Sequence, residues 1–193
     1  MIIAAKIIWC VGVVAWFIIR YPYARRSKRI PARHVANRGL EIVLLSISAM
    51  GLGVIPAVYA ATGMPALANY QLHIWQVVVG GITFLASLFL FRLTHAALGR
   101  NWSVTLEVRE NHALITDGIY RHVRHPMYTA FWLWAIAQAF LLPNWVAGFS
   151  GIAGFGTLYL FRVRHEEQMM LDAFGSRYAE YAKRTGRVFP KLP

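Results

Sequence analysis

The sequence predicts an all-α integral membrane protein with five transmembrane helices, the last two forming a tight hairpin. Three observations carry this. Of 193 residues 58% are hydrophobic and only 15% charged, against about a quarter charged in a soluble domain. The apolar residues fall in runs long enough to cross a hydrocarbon core, about 20 residues at 1.5 Å each. The basic residues fall in blocks between those runs.

The first run, Ile2–Ile19, has only Lys6 as a leading charge and passes into a basic block without a small-residue cleavage site. It therefore reads as a transmembrane helix rather than a cleaved leader. Leu40–Ala61 and His73–Phe91 are the second and third spans, with Pro56 near the end of the second. The fourth apolar stretch, Met127–Phe161, is split by Pro143-Asn144. Proline removes a helix donor and clashes with the preceding turn, so this stretch predicts two short spans joined by a turn. Gly148, Gly151, Gly154 and Gly156 would allow close helix approach. Beyond it, Glu166–Arg184 has helical apolar spacing around Gly175 and predicts an amphipathic helix or helix pair on the membrane surface.

Lysine and arginine set the orientation. Nineteen of the 20 lie in Arg20–Arg38, between the third and fourth spans, or after the fifth. With five crossings all of these share one side, so the N-terminus is expected outside and the C-terminus in the cytoplasm. Thr62–Gln71 and the Pro143 turn, on the other side, carry no charge. The net charge of +12 is thus explained by topology, and no nucleic-acid partner is expected. Cys10 is the single cysteine and offers no disulfide framework.

A glycine-rich nucleotide loop should follow a strand and open a helix. Gly51-Leu52-Gly53 sits instead inside an apolar run and reads as helix packing. His122 and His125 lack acidic or cysteine companions at ligand spacing, and Pro126 biases His125 toward extended backbone. No metal is expected. Two constellations remain. Gly118-Ile-Tyr120-Arg121-His122-Val-Arg124-His125-Pro126-Met-Tyr128 joins a glycine turn to a proline suited to the first turn of the fourth span. It places Tyr120, Arg124, His125 and Tyr128 at the interface, either as anchors or as a site. Arg162-Val-Arg164-His165-Glu166-Glu167 puts adjacent carboxylates at the mouth of a membrane helix, which is costly unless they are paired or used. Arg162 can pair with Glu166 across one turn. Taken alone, that pair beside a solvated Glu167 reads equally well as an ordinary surface feature or as a site, with a carboxylate to accept from ribose hydroxyls or an amino group and an arginine to orient an anion.

Together with Gly99-Arg-Asn-Trp102-Ser, Asn111-His112-Ala-Leu-Ile115, Phe174-Gly175, Tyr178, Tyr181 and Arg187-Val-Phe-Pro190, these residues carry a resemblance. From about Leu98 onward the chain resembles the isoprenylcysteine carboxyl methyltransferase and phospholipid methyltransferase superfamily, especially its small five-span prokaryotic members. The resemblance implies one domain over residues 1–193. Residues 1–97 would supply three spans and the basic loop, and residues 98–193 a catalytic half whose cytoplasmic loop and C-terminal helix enclose a cofactor pocket. It implies S-adenosylmethionine as cofactor, with S-adenosylhomocysteine as product, and His112, Ala113, Leu114, Ile115, Tyr120, His125, Pro126, Met127, Tyr128 and Glu166 as its contacts. Arg162 is implied on the substrate side, and Arg92 is the candidate for a further family arginine near the end of the third span. Where some members use a glutamine before the His112 segment, this chain reads Ser103-Val-Thr105-Leu-Glu107, leaving Thr105, Glu107 or nothing as a substitute.

The expected activity is methyl transfer to a lipophilic acceptor in the bilayer, small-molecule or lipidated. A carboxylate acceptor would be positioned by Arg162 or Arg92 and needs no base. An amine, as in phospholipid N-methylation, would need His125 or Glu167 to remove a proton. Sterol-type NADPH-dependent membrane reductases look similar around Gly118–Pro126, with Arg121, Arg124 and Arg164 available to a 2′-phosphate, but the Arg162/Glu166/Glu167 set favours methyl transfer. A non-catalytic protein retaining the scaffold is the third reading.

Overall fold

The computed structural model describes residues 1–27, 38–99 and 114–191. These residues are helical apart from connections and two isolated bridges. Four helices are long and apolar enough to cross a membrane, and the protein is a multi-pass membrane protein.

Helix α1 spans Ile2–Ser27, running past Pro22 and beyond the expected end at Ile19. The second apolar run is helix α2 (Arg38–Ala49), a π-helical turn (Met50–Val54) and helix α3 (Ile55–Thr62). The π turn has a local cause. Pro56 has no N–H to offer the preceding turn, and the widened turn lets the Ile55 N–H reach the Met50 carbonyl. The Gly51 carbonyl is released and accepts from Gln138 Nε2 at 3.1 Å and Ser150 Oγ at 2.7 Å. Helix α4 runs Ile74–Leu98, seven residues past the expected end at Phe91.

The predicted hairpin is present. Helix α5 (Pro126–Leu141) starts with its proline in the first turn, and helix α6 begins at Trp145. Asn144 caps α6 by accepting from the Val146 and Ala147 amides. The same side chain donates to the Pro65 carbonyl and to Asn69 Oδ1, both at 2.8 Å. The connection between α3 and α4 is thereby tied to the hairpin turn. One expectation is corrected: Glu166–Phe174 is no separate surface helix. Residues 162–174 are mostly good helix formers with no breaker, so α6 continues for 30 residues to Phe174. Gly175, at φ +55°, breaks it, and only helix α7 (Ser176–Arg184) is separate.

Close packing rests on two glycines. A Cβ on Gly51 would strike the Ser150 carbonyl, and one on Gly154 would lie 2.7 Å from the Ile47 carbonyl oxygen. The π turn and α6 therefore touch backbone to backbone, as small residues permit in lipid. Around this contact Trp9, Phe84, Trp134, Leu141 and Phe155 form the core. Ile3, Ile7, Val11, Val14 and Ile18 make an exposed helical stripe on α1, an outer face as apolar as the interior and suited to lipid.

The contacts also fix the two ends. Lys6 Nζ, near the start of α1, donates to the Tyr59 and Ala60 carbonyls near the end of α3. Late in α1, the Tyr23 ring lies 4.7 Å from that of His95, late in α4. The uncharged connections thus gather at one end of the bundle. The starts of α2 and α5, the end of α4 and the charged part of α6 gather at the other.

Candidate active site

The charged end is organised by two connecting stretches of chain, one leading into α5 and one following α7. Gly118 takes φ +60°, turning the backbone into a short 3-10 segment, Gly118–Arg121. His125 then enters α5 at φ −124°, as the following proline requires. After α7, the tail lies parallel to this entry. The Arg124 amide donates to the Gly186 carbonyl at 2.8 Å and the His125 amide to the Arg187 carbonyl at 2.9 Å. Thr129 Oγ1 donates to the Val188 carbonyl at 2.7 Å. Arg124 also donates to the carbonyls of Ala182 and Thr185. Tyr181 of α7 donates to the Tyr120 carbonyl at 2.6 Å.

Against this surface α6 presents its two carboxylates. Glu166 accepts from the Tyr128 hydroxyl, and its Oε1 lies 3.7 Å from His125 Nδ1. Glu167 accepts from Arg124 Nε (3.0 Å) and Nη2 (2.9 Å), His125 Nε2 (3.2 Å), and Arg187 Nε (3.1 Å) and Nη2 (2.5 Å). The buried His125 ring is clamped between the carboxylates and stacks on Tyr128, centroids 5.3 Å apart. Burial works to lower its pKa, but the hydrogen bonds and charges of Glu166 and Glu167 outweigh it and raise the pKa above the usual histidine value. Burial raises the Tyr120 phenol well above its usual value, and the charge of nearby Glu166 adds to this.

One turn back along α6, Arg162 Nη2 lies 3.3 Å from Glu41 Oε1 on α2. One turn further the surface becomes aromatic: Tyr128 packs against Tyr159 at 5.6 Å and Phe155 at 6.1 Å, and Trp132 covers both at 5.7 and 5.3 Å. Along α6 the site passes from a charged cluster through one ion pair to an aromatic floor.

Of the residues expected at the site, Tyr120, His125, Pro126, Tyr128 and Glu166 come together, with Met127 half-buried beside them. Leu114 and Ile115 are half-buried before the glycine turn. His112, Ala113, Thr105 and Glu107 lie outside the described residues. Arg162 occupies the same face of α6 as Glu166, but it reaches across to Glu41. Arg92 is exposed on α4, next to buried Phe91, and among the described residues no hydrogen bond or ion pair joins it to the cluster. Glu167 is the centre of the network rather than a solvated neighbour. Sequence reasoning missed Glu41 as well, although a carboxylate within an apolar run was the signal available for it.

The Isoprenylcysteine carboxyl methyltransferase (ICMT) family model matches residues 69–172, more than half of the chain. The protein-S-isoprenylcysteine O-methyltransferase of Schizosaccharomyces pombe is 30% identical over 129 residues, covering 66% of this chain and 54% of that protein. The Homo sapiens enzyme of the same name is 31% identical over 121 residues, 61% of this chain and 43% of its own. A probable protein-S-isoprenylcysteine O-methyltransferase of Oryza sativa subsp. indica is 27% identical over 161 residues, 82% of either chain. The chain spans little more than half the length of several curated relatives it matches. The solved structure of the eukaryotic intramembrane Ras methyltransferase ICMT superposes with a TM-score of 0.54 at 22% identity, over 81% of this chain and 54% of that one. With the family model matching more than half of the chain and a helical membrane fold in common with that structure, the chain belongs to the isoprenylcysteine carboxyl methyltransferase family.

Proposed function

We propose that the chain is an S-adenosylmethionine-dependent methyltransferase acting on the carboxylate of a lipophilic, prenylcysteine-like acceptor. The carrying observation is the gradient along α6, from Glu166 and His125 through Arg162 to the Tyr159–Phe155–Trp132 floor. An amphiphilic acceptor matches it: apolar chain on the aromatic floor, anionic head toward Arg162.

The residues present fit the cofactor. The Glu166 side chain is 32% exposed, so its carboxylate can accept from ribose hydroxyls or an amino group, while Tyr128 and His125 hold it in place. Tyr120, Pro126 and Met127 supply the adjoining surface, with Leu114 and Ile115 preceding it and the His112-Ala113 pair assigned from the family motif. When bound, S-adenosylmethionine supplies a methyl carbon on a positively charged sulfur, and transfer to a carboxylate turns one cation and one anion into two neutral products. The protein's share is placement and exclusion of water, which can supply much of such an acceleration. Arg162 orients the acceptor oxygen, and the aromatic floor keeps its surroundings dry. A carboxylate needs no base, so His125 acts as a clamp for Glu166 rather than as a proton acceptor. Its hydrogen bond to Glu167 and its ion-pair contact with Glu166 favour this over amine methylation, where an unprotonated base is required.

The five-crossing arrangement belongs to the same proposal. Helix α5 has 16 residues, just below the usual range of about 17–25 for a crossing, but with its flanking residues it joins the charged end to the uncharged end. The basic blocks place the charged end in the cytoplasm, so the cofactor arrives from the cytosol and the acceptor laterally from the bilayer. The test is direct. Purified protein should bind S-adenosylhomocysteine by calorimetry and transfer labelled methyl to an S-prenylated N-acetylcysteine. Glu166→Ala should abolish binding while leaving the circular dichroism unchanged. Binding of NADPH in its place would refute methyl transfer.

A further inference from the structure

We infer that Glu41 is the resting counter-ion of Arg162 and sets how the site discriminates an anionic acceptor from its neutral methylated product. This rests on the proposed carboxylate methylation. Glu41 lies outside the matched residues 69–172 and in the first turn of α2, where the helix dipole favours a negative charge. It is buried, with its side chain 7% exposed against 12% for Arg162, and the two are 3.3 Å apart. Arg162 in turn shares a helix face with Glu166, about one turn or 6 Å along α6, so it stands between the cofactor-side carboxylate and Glu41.

The charge of Glu166 reaches Arg162 along α6, but a buried guanidinium that loses its directly paired anion is still destabilised. An acceptor carboxylate can satisfy it before methylation, but the ester formed is neutral and cannot. Glu41 removes that difficulty. The guanidinium has five N–H donors in a planar fork, enough to keep Glu41 on one edge while an acceptor carboxylate engages another. When the acceptor's charge disappears, Arg162 remains paired with Glu41 and the ester has nothing ionic to hold it. With Glu41 neutralised, Arg162 would hold the acid more tightly. The gain would fall on the ground state, whose charge is lost on the way to product, and so would slow turnover. Glu41 is thus a positioning residue that acts through Arg162.

The test uses the full chain in detergent with S-adenosylhomocysteine bound, titrated with an S-prenylated N-acetylcysteine and separately with its methyl ester. Wild-type protein should bind the acid more tightly than the ester. Glu41→Gln should tighten the acid by about three- to tenfold and leave the ester unchanged, and in turnover both KM for the acid and kcat should fall. Glu41→Asp, which keeps the charge but withdraws it by one carbon, should fall between the two. Should Glu41→Gln fail to fold, as judged by S-adenosylhomocysteine binding, the Asp variant decides: tighter acid with unchanged ester supports the assignment, and wild-type values for both overturn it. Equal shifts for acid and ester, or weaker acid binding, also overturn it. Wild-type protein that does not prefer the acid would defeat the underlying carboxylate reading instead.

Discussion

Arg187 closes on Glu167 with two nitrogens, Nε 3.1 Å from Oε1 and Nη2 2.5 Å from Oε2, fastening the tail after α7 to the last long helix. The carboxylate thus receives arginines from both sides of the parallel pairing, since Arg124 donates from the α5 entry. Among the described residues the tail covers the α5 entry, and it is held by the residue that also clamps His125.

Arg187→Ala should therefore loosen the cover before it unfolds the bundle. The Arg187 side chain is 45% exposed, so solvent screening leaves the pair roughly 0.5–1 kcal/mol. That corresponds to about two- to fivefold more local opening. Trypsin cleavage after Lys183 or Arg184 should accelerate by this factor, with the helical circular dichroism unchanged. Arg187→Lys, unable to bind bidentately, should recover only part of the protection. Unaltered cleavage in Arg187→Ala would show the tail to be held by its backbone bonds alone.

Tyr128→Phe removes the hydroxyl that Glu166 accepts from and nothing else. A hydrogen bond to a charged group contributes about 1.5–3 kcal/mol, but Glu166 keeps His125 beside it, which limits the loss. S-adenosylhomocysteine affinity should fall about tenfold, against its abolition in Glu166→Ala. Retained affinity would mean that Tyr128 orders the aromatic floor and not the carboxylate.

The His125 pKa is raised above its ordinary value because its contacts with Glu166 and Glu167 outweigh burial. A group bound more tightly to its proton in the folded state stabilises that state while the unfolded imidazole is also protonated, below about pH 6.5. The contribution is lost as pH rises through the folded pKa. The thermal midpoint of wild-type protein in detergent should accordingly fall with rising pH above about 6.5, whereas His125→Gln should be nearly flat over that window. A midpoint that rises with pH would mean the clamped ring is neutral. The groups facing His125 are Glu166, Glu167 and Tyr128, with Arg124 bound to the same Glu167.

What could be read from sequence was what local backbone chemistry decides. Pro126 after a glycine turn, Pro143-Asn144 between apolar runs and the glycines of α6 each act over a few residues, and each took the form expected. The π turn depends on Pro56 together with a glutamine on another helix, so Gly51-Leu52-Gly53 shows in the sequence only as packing, without its polar partner. Glu41 and Arg162 are joined only by the crossing of α2 and α6, and no periodicity links them. Glu167 draws its donors from the α5 entry and the tail, which chain-local reasoning cannot assemble. The end of α6 is hidden for the opposite reason: amphipathic spacing is visible, but spacing does not mark where a helix begins when nothing breaks it.

Gly154→Val tests the helix crossing on which Glu41 depends. Its Cβ would sit 2.7 Å from the Ile47 carbonyl oxygen and close to Gly51, so α2 must move. Overpacking of this kind costs about 1–3 kcal/mol, and the thermal midpoint in detergent should drop accordingly. Because α2 carries Glu41, acid-over-ester discrimination should change as well, while S-adenosylhomocysteine binding through α5 and the far part of α6 should persist. Loss of cofactor binding in a folded variant would show that the crossing supports the whole site.

The two ends of the bundle differ in charge, and labelling can show which faces the cytoplasm. Leu67 lies fully exposed between α3 and α4, at the end where Asn144 ties the hairpin turn to Pro65 and Asn69. Arg177 is exposed on α7 at the charged end. Cys10 is the single cysteine, so Cys10→Ser gives a clean background for Leu67→Cys or Arg177→Cys. Lysine and arginine near the ends of spans are retained on the cytoplasmic side, and among the described residues the charged end holds almost all of them. In sealed right-side-out vesicles an impermeant maleimide should label Leu67→Cys directly and Arg177→Cys only after permeabilisation. The reverse pattern would invert the orientation and put the proposed cofactor site beyond the reach of cytosolic S-adenosylmethionine. Labelling of both without permeabilisation would require an even number of crossings between them, leaving α5 or another helix unable to span.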